Sequence, residues 1–372
     1  MKINRIILLT HEYPPTKGGA GIYCKEIAES AYKQNINIEI WAPMGSVSQS
    51  GIRFKNLPWK GSQSWLSSFL LIFHLRAFLI RANKIITFHI ADPGVSRAFI
   101  RLGWLLPKNH RKIITLHGSE LLKFTRNPLE RFLFRKLLNK TSIIHVLSRF
   151  NADRCERFSK QVKSKIRLIP GAPSSVVLSH PSPKLKNRDT EGIQILCVGR
   201  IHRRKGQLEL LQALLSLPAN IQNSITIIFA GPVNQTSYMK KLKRMAVNFT
   251  GKITFAGEVS IEDLHLFYRE SDIFSLTPII TKKSVEGFGF VYLEASYFGL
   301  PIMATKVGGV EDAVLDRETG LLSDPNNQEE LKSNLTKLVE NRSLRKKLGE
   351  NGKLWAKQHS WENIARKLYL EN

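Results

Sequence analysis

Two glutamates eight residues apart bound the stretch Glu286-Gly-Phe-Gly-Phe-Val-Tyr-Leu-Glu294. The apolar run 272–276 before it reads as a buried strand. Residues 290–298 read as an apolar helix, stopped by Gly299 ahead of Pro301. A strand, a glycine-rich turn and a helix start together form an anion site, because the first helical N–H groups have no internal partner and the helix dipole adds partial positive charge there. Gly287 and Gly289 allow a ligand close to the backbone of Phe288 and Phe290. Glu294 lies among Val291, Leu293 and Ala295 and is predicted to be buried, which is costly for a carboxylate without a partner. A polyhydroxyl ligand supplies donors without adding charge, and Glu286 at the helix mouth can grip a second such group. The alternatives are a dipole-favoured first-turn residue at Glu286 and an ion pair to a distant arginine at Glu294.

A second cluster follows the apolar run 193–198: Gly199-Arg200-Ile-His-Arg-Arg204-Lys205-Gly206. Cations fixed at a strand-to-helix corner suit phosphate, arginine as a planar fork and lysine as a mobile point charge. Arg204 is a weaker candidate beside Arg200 and Lys205. Further along, Gly257 and Val259 close another strand-to-loop corner. Near the start, His11-Glu-Tyr-Pro-Pro-Thr-Lys-Gly18-Gly19 leads from a strand into a helix. This loop lacks the full dinucleotide fingerprint and no acidic residue follows the second strand, which argues against NAD binding. His89 and His117 fall at strand ends, with Glu120 three residues after the latter.

These residues require a scaffold. Apolar runs at 3–10, 36–41, 85–89, 112–117, 142–147 and 166–170 alternate with helical stretches, as do those at 193–198, 225–230, 253–255, 273–276 and 300–304. Near-continuous apolar strands alternating with helices predict an α/β chain with doubly wound parallel sheets, and such sheets bind ligands beyond the carboxyl ends of their strands. Residues 170–192 hold several prolines and serines and read as a linker. The chain therefore divides at 175/176 into a first domain, 1–175, and a second over 176–357, with a last helix at 358–372 crossing back onto the first. Helix 65–81 is apolar nearly all round. It reads as core-packing, the alternative being a membrane-facing helix that dips Trp65, Phe69 and Phe73 into headgroups. Arg131, Arg135 and Lys136 on helix 129–138 face either lipid or solvent.

The chain has 372 residues, 42% of them hydrophobic, and three widely spaced cysteines without metal-ligand spacing. These cysteines read as buried small hydrophobes in a reducing compartment. No signal peptide or membrane span is predicted. Residues 1–180 carry 29 of the 56 Lys and Arg but only 9 of the 30 Asp and Glu. Most of the formal charge of +26 is thus in the first half, where it suits an anionic membrane surface. No recognisable nucleic-acid motif accompanies the charge, so no specific nucleic acid is expected.

In order along the chain, these motifs resemble the retaining glycosyltransferases of family GT4, which have the GT-B fold of two Rossmann-like domains facing across a cleft. Pro14, Pro15, Gly18 and Gly19 match its PP-x-x-GG loop. His117 matches its cleft histidine, Arg200 and Lys205 its Gly-Arg-x4-Lys-Gly loop, Gly257 and Val259 its G-x-V turn, and Glu286 and Glu294 its Glu-x7-Glu signature. There are departures. Residues 278–285 form a longer loop than many members have, and the GG-x-x-E acid arrives one place early at Glu311.

The resemblance implies a nucleotide-sugar donor, UDP- or GDP-linked. Its pyrophosphate would lie on Arg200 and Lys205, its ribose on Glu294, its base at Gly257 and Val259, and its sugar on Glu286 and the 287–290 amides. His117 would lie near the scissile bond, with Gly18, Gly19, Glu120 and His89 on the acceptor or phosphate side. It further implies a lipid-linked or glycan acceptor, domain closure at the linker, and cytoplasmic work at the inner membrane face. No cofactor or metal is expected, and the chain has no Asp-x-Asp. The competing readings are a GT-B sugar-nucleotide epimerase and a non-enzymatic polyanion-binding protein.

Overall fold

A computed structural model describes residues 5–15, 18–47, 51–82, 85–179, 192–282 and 284–371. Thr16 and Lys17 of the first glycine loop, Lys283, and the linker residues 180–191 lie outside the described residues. The chain forms two compact units, Met1–Gly171 with Ser360–Asn372, and Ala172–His359.

The first unit holds a seven-stranded parallel sheet. Its strands are β1 (Ile6–Leu9), β2 (Ile38–Pro43), β3 (Arg53–Leu57), β4 (Thr87–Ile90), β5 (Arg111–Leu116), β6 (Ile143–Val146) and β7 (Ile166–Leu168), in the order β3-β2-β1-β4-β5-β6-β7. The second unit holds six: β8 (Ile193–Val198), β9 (Ile225–Ala230), β10 (Lys252–Gly257), β11 (Ile273–Leu276), β12 (Ile302–Thr305) and β13 (Gly320–Ser323), in the order β10-β9-β8-β11-β12-β13. Both orders reverse once, between β1 and β4 and between β8 and β11. That is the doubly wound arrangement, with helices on both faces burying the central strands completely. Two strands escape the sequence reading. β3 (Arg-Phe-Lys-Asn-Leu) and β13 (Gly-Leu-Leu-Ser) are short edge strands, and β3 is too polar to form an apolar run.

The core of the first unit gathers Ile7, Leu9, Phe88, Ile114 and Val146 with Leu71, Leu75 and Phe99 from the covering helices. The helix Trp65–Ile80 contributes Leu71, Ile72, Leu75 and Leu79 to this layer, while its opposite apolar stripe stays exposed. The last helix, Trp361–Tyr369, packs on the helix Gly19–Lys33. Trp361 meets the Tyr23 ring edge-on at 5.8 Å, and Arg167 donates to the carbonyls of Lys367 and Glu371. All three cysteines are buried and unpaired.

His89 corrects the sequence reading. It is fully buried, with Nδ1 2.6 Å from the Tyr369 hydroxyl and Nε2 2.7 Å from Thr115 Oγ1. Both ring nitrogens serve the interior, so no ligand reaches them. Thr115 and the Tyr23 hydroxyl continue the network to His145 Nδ1, and His145 Nε2 donates to the Ile169 carbonyl at 2.9 Å. The sequence could not reveal this, because the partners lie up to 280 residues away. Burial holds both histidines neutral. His89 is pushed well below its usual range, further by His145 and His117, and His145 is lowered from 6.5 to about 4.

A lowered histidine pKa leaves the unfolded chain with more bound protons, so stability is level above pH 6.5 and falls as pH drops toward 4. For His145 alone the loss is about 2 kcal/mol at pH 5. Melting temperatures measured across this range should therefore fall with acid, and His145→Gln should shrink that fall. An unchanged acid response in the variant would contradict the assignment.

Candidate active site

In the second unit the chain leaves β8 and β11 toward opposite sides, opening a crevice at their carboxyl ends where ligands of such sheets bind. Two loops meet there. The loop after β8 carries Arg200, Arg204 and Lys205, and the loop after β11 runs from Thr277 to Gly289. They are tied by two hydrogen bonds. Thr277 Oγ1 donates to the Gly206 carbonyl at 2.8 Å, and the Ile279 N–H donates to the Arg204 carbonyl at 3.0 Å. Gly206 has φ 72°, and a Cβ there would run into the Thr277 carbonyl, so only glycine lets Lys205 sit this close to the second loop.

Glu286 is the centre of this meeting. Its Oε2 accepts from Arg204 Nη1 at 2.5 Å and from Lys205 Nζ at 2.8 Å, with all three side chains largely buried. Burial by itself would raise the Glu286 pKa, but Lys205 and Arg204 outweigh it and hold the carboxyl down at about 2. Lys205 is lowered, first by burial and then by Arg204 and Arg200, while Glu286 opposes the fall. Arg200 is exposed beside them. Two cations thus share one carboxylate and Arg200 adds a third charge nearby, which leaves the crevice with surplus positive charge suited to a diphosphate. Arg204, weighted below Arg200 in the sequence, proves to be a direct partner of Glu286.

The rest of the loop is anchored. The Glu286 carbonyl accepts from the Gly309 N–H at 3.0 Å, the Pro278 carbonyl accepts from Thr305 Oγ1, and Thr281 bonds Ser284 to close a turn. Gly287 and Phe288 are buried, and Gly289, at φ 89°, starts the helix Phe290–Tyr297 with the Tyr292 ring where a side chain would otherwise project. Phe290 is half-buried at the first turn. Glu294 is buried, as its apolar neighbours predicted, and its Oε2 accepts from the Tyr268 hydroxyl at 2.9 Å. Gly257 ends β10 at φ 67°, with nothing within 4 Å of the space a Cβ would take, and Val259 is half-buried beside it. The turn is therefore open to a planar ligand.

In the first unit, His117 follows β5 and is half-buried. Its Nε2 donates to the Ala91 carbonyl at 2.8 Å, which leaves Nδ1 as an acceptor in the neutral ring. Glu120 is turned away from any acceptor. It is buried, its Oε1 taking the His117 N–H at 3.0 Å and its Oε2 the Gly118 N–H at 2.8 Å, so it shapes the loop that presents His117. Gly18 and Gly19 open the helix Gly19–Lys33 at the carboxyl end of β1, where a Gly18 side chain would collide with the Glu12 carboxylate.

Sequence reasoning missed Asp92. It is buried, and one carboxylate oxygen receives the His11 and Glu12 N–H groups and Thr10 Oγ1, while the other receives the Val95 N–H. Asp92 thereby holds the chain leaving β1 against the start of the helix Pro93–Leu102. An Asp-Pro pair directly after an apolar strand was the available signal, since Asp caps a helix and Pro suits its first position.

Glu286→Gln should lower the melting temperature, because it leaves Lys205 and Arg204 buried without a counter-charge, a change of about 3 kcal/mol. Added pyrophosphate should recover more of that loss in the variant than it adds to the wild type. Equal responses to pyrophosphate would show that the cations are not exposed to an anion.

The two halves each match a family model, Glycosyltransferase Family 4 over residues 17–172 and Glycosyl transferases group 1 over 182–355. Among curated proteins, the chain is 23% identical to the GDP-mannose-dependent alpha-(1-6)-phosphatidylinositol monomannoside mannosyltransferase of Mycobacterium tuberculosis, covering 98% of this chain and 97% of that protein. It is 26% identical to the GDP-mannose-dependent monoacylated alpha-(1-6)-phosphatidylinositol monomannoside mannosyltransferase of Corynebacterium glutamicum, covering 98% and 96%. Among solved structures, the Anabaena protein HepE in complex with UDP and glucose superposes with a TM-score of 0.77 at 18% identity, covering 98% of this chain and 97% of that one. Sucrose-phosphate synthase from Thermosynechococcus elongatus gives 0.76 at 19%, with coverage of 98% and 97%. Taken with the two doubly wound sheets, these matches establish that the chain belongs to the GT4 family and is a glycosyltransferase of GT-B fold.

Proposed function

We propose that the enzyme moves a hexosyl group from a nucleotide-sugar to a lipid-linked or polysaccharide-precursor acceptor, with retention of configuration and without a metal. The observation that carries this reading is the buried Glu286 held between Arg204 and Lys205, with Arg200 beside them. In this proposal the second unit takes the donor. Arg200 and Lys205 face the pyrophosphate, Glu294 the ribose, and Gly257 and Val259 the base. Arg204 keeps Glu286 ionised so that it accepts from donor-sugar hydroxyls, and the Gly287–Phe290 backbone borders phosphate and sugar. The first unit takes the acceptor, with Gly18 and Gly19 on its side and His117 contributing Nδ1 as a hydrogen-bond acceptor for a sugar hydroxyl.

In the reaction the bond between the anomeric carbon and the diphosphate oxygen breaks, and the leaving diphosphate carries away the electron pair. The acceptor hydroxyl oxygen forms the new bond on the same face, and its proton passes to a leaving-group oxygen. Charge builds on the diphosphate, where preorganised cations stabilise it at the transition state more than in the ground state. Arg200 and Lys205 fill that role from within the chain, which is the support for metal independence together with the absence of Asp-x-Asp.

The mannosyltransferase relatives make GDP-mannose the first donor to test and a phospholipid-linked glycan the first class of acceptor. The basic first half supports work in the cytoplasm at the inner membrane face, and no described helix is long and apolar enough to cross a membrane.

A ligand that binds only the folded state raises its melting temperature. GDP-mannose or a UDP-sugar should raise that of the wild type, and Lys205→Ala should abolish the shift. With the matching donor, Lys205→Ala should also cut kcat by about 100-fold or more, the scale of losing one charge-stabilising group. No shift with either nucleotide class, or an equal shift in the variant, would overturn the donor-site assignment.

A further inference from the structure

On the first unit, away from the residues discussed so far, a crevice of about 360 Å³ opens between the helix Pro93–Leu102 with its following turn and the helix Pro128–Asn139. Phe99, Ile100, Leu133 and Leu137 contribute apolar lining. Lys108, Lys112, Lys136 and Lys140 also line it. Lys112 lies near the start of β5 and Lys140 just precedes β6, so the crevice opens at the amino ends of these strands, the opposite edge of the sheet from His117. Lys112 is lowered in pKa by burial and then by Lys140, as expected of cations sharing a site without an anion. Residues 93–140 carry eleven Lys and Arg against two Glu. Of those two, Glu120 is buried and Glu130 is paired with Arg97.

The surface beside the crevice is apolar. Trp104 at its rim is 71% exposed. The neighbouring helix Trp65–Ile80 presents Trp65, Leu66, Phe69, Phe73 and Ile80 outward, on the stripe opposite its buried leucines. Arg76 of that helix reaches the Leu105 carbonyl, and the Arg101 guanidinium lies 4.4 Å from the Trp65 ring, so crevice and stripe form one continuous face. Leu129 and Phe132 extend it on the other side. An exposed apolar patch of this kind marks a contact surface. Aromatic residues interleaved with cations fit the headgroup and acyl boundary of an anionic bilayer.

We propose that this crevice is the seat of one anionic phospholipid, which rests on the proposed work at the membrane face and locates it on this side of the first unit. The crevice seats one lipid, its phosphate among the four lysines and the start of its acyl chain on the apolar lining. The 65–80 stripe lies in the interface alongside. The site is independent of the donor reading, because it shares no residue with it.

The test is co-sedimentation of the full chain with phosphatidylcholine vesicles, with and without phosphatidylglycerol, at about 0.1 M salt, where the Debye length still spans a headgroup layer. The wild type should sediment with the anionic vesicles only. The exposed pair Lys136→Glu and Lys140→Glu should weaken that partitioning about tenfold or more, since each cation near such a surface contributes several-fold. Phe69→Ser with Phe73→Ser should weaken it as well, and both variants should melt at the wild-type temperature. A wild type that stays in solution would overturn the docking surface. Equal sedimentation of the lysine variant would overturn the lysine-lined crevice as the lipid seat.

Discussion

The second unit depends on one buried electrostatic contact, in which a single carboxylate oxygen of Glu286 is shared by Arg204 and Lys205. Neither cation would stay charged at low cost in that position without the carboxylate, and Glu286 could not stay ionised without them. The contact therefore sets where both loops lie. It joins the corner after β8 to the corner after β11 and leaves an excess of positive charge at the carboxyl ends of the strands. A site that must stabilise a departing diphosphate benefits from cations already fixed in place, because they need no reorganisation when charge develops.

That contact is possible because the backbone allows it. Gly206 and Gly308 sit where a Cβ would strike a carbonyl, of Thr277 in one case and of Glu286 in the other. On the far side, the helix Arg342–Lys357 packs on the helix Phe290–Tyr297. Gly349 approaches the Gly299 backbone and Gly352 approaches Ser296. Small residues at these points bring the Glu286–Glu294 segment under the sheet edge and hold Glu294 against the Tyr268 hydroxyl.

The first unit is organised differently. Its interior carries a connected polar network, from Tyr23 through Thr115 and the two buried histidines to Tyr369 of the last helix, which fastens the end of the chain to the sheet. Asp92 performs a similar task at the carboxyl edge by collecting four donors. On its outside this unit presents large apolar side chains of the helix Trp65–Ile80, where most helices of a water-facing surface carry charge.

The sequence by itself determined the fold class and most of the strands, because apolar runs buried on both faces are local and continuous. It also determined the order of the glycine corners and the burial of Glu294, since both follow from near neighbours. Tertiary structure decided the pairings. That Arg204 joins Lys205 on Glu286, and that His89 serves Tyr369 rather than a ligand, depend on which residues meet across tens or hundreds of positions. That Glu120 caps the backbone of its own loop is a local contact, but it is set by how the chain turns after β5. The edge strands β3 and β13 were likewise settled by their sheets, since β3 buries too few residues to leave an apolar pattern and β13, though buried, is only four residues long. A side chain's type states what chemistry it can do, but the partner that satisfies it is chosen by the packing.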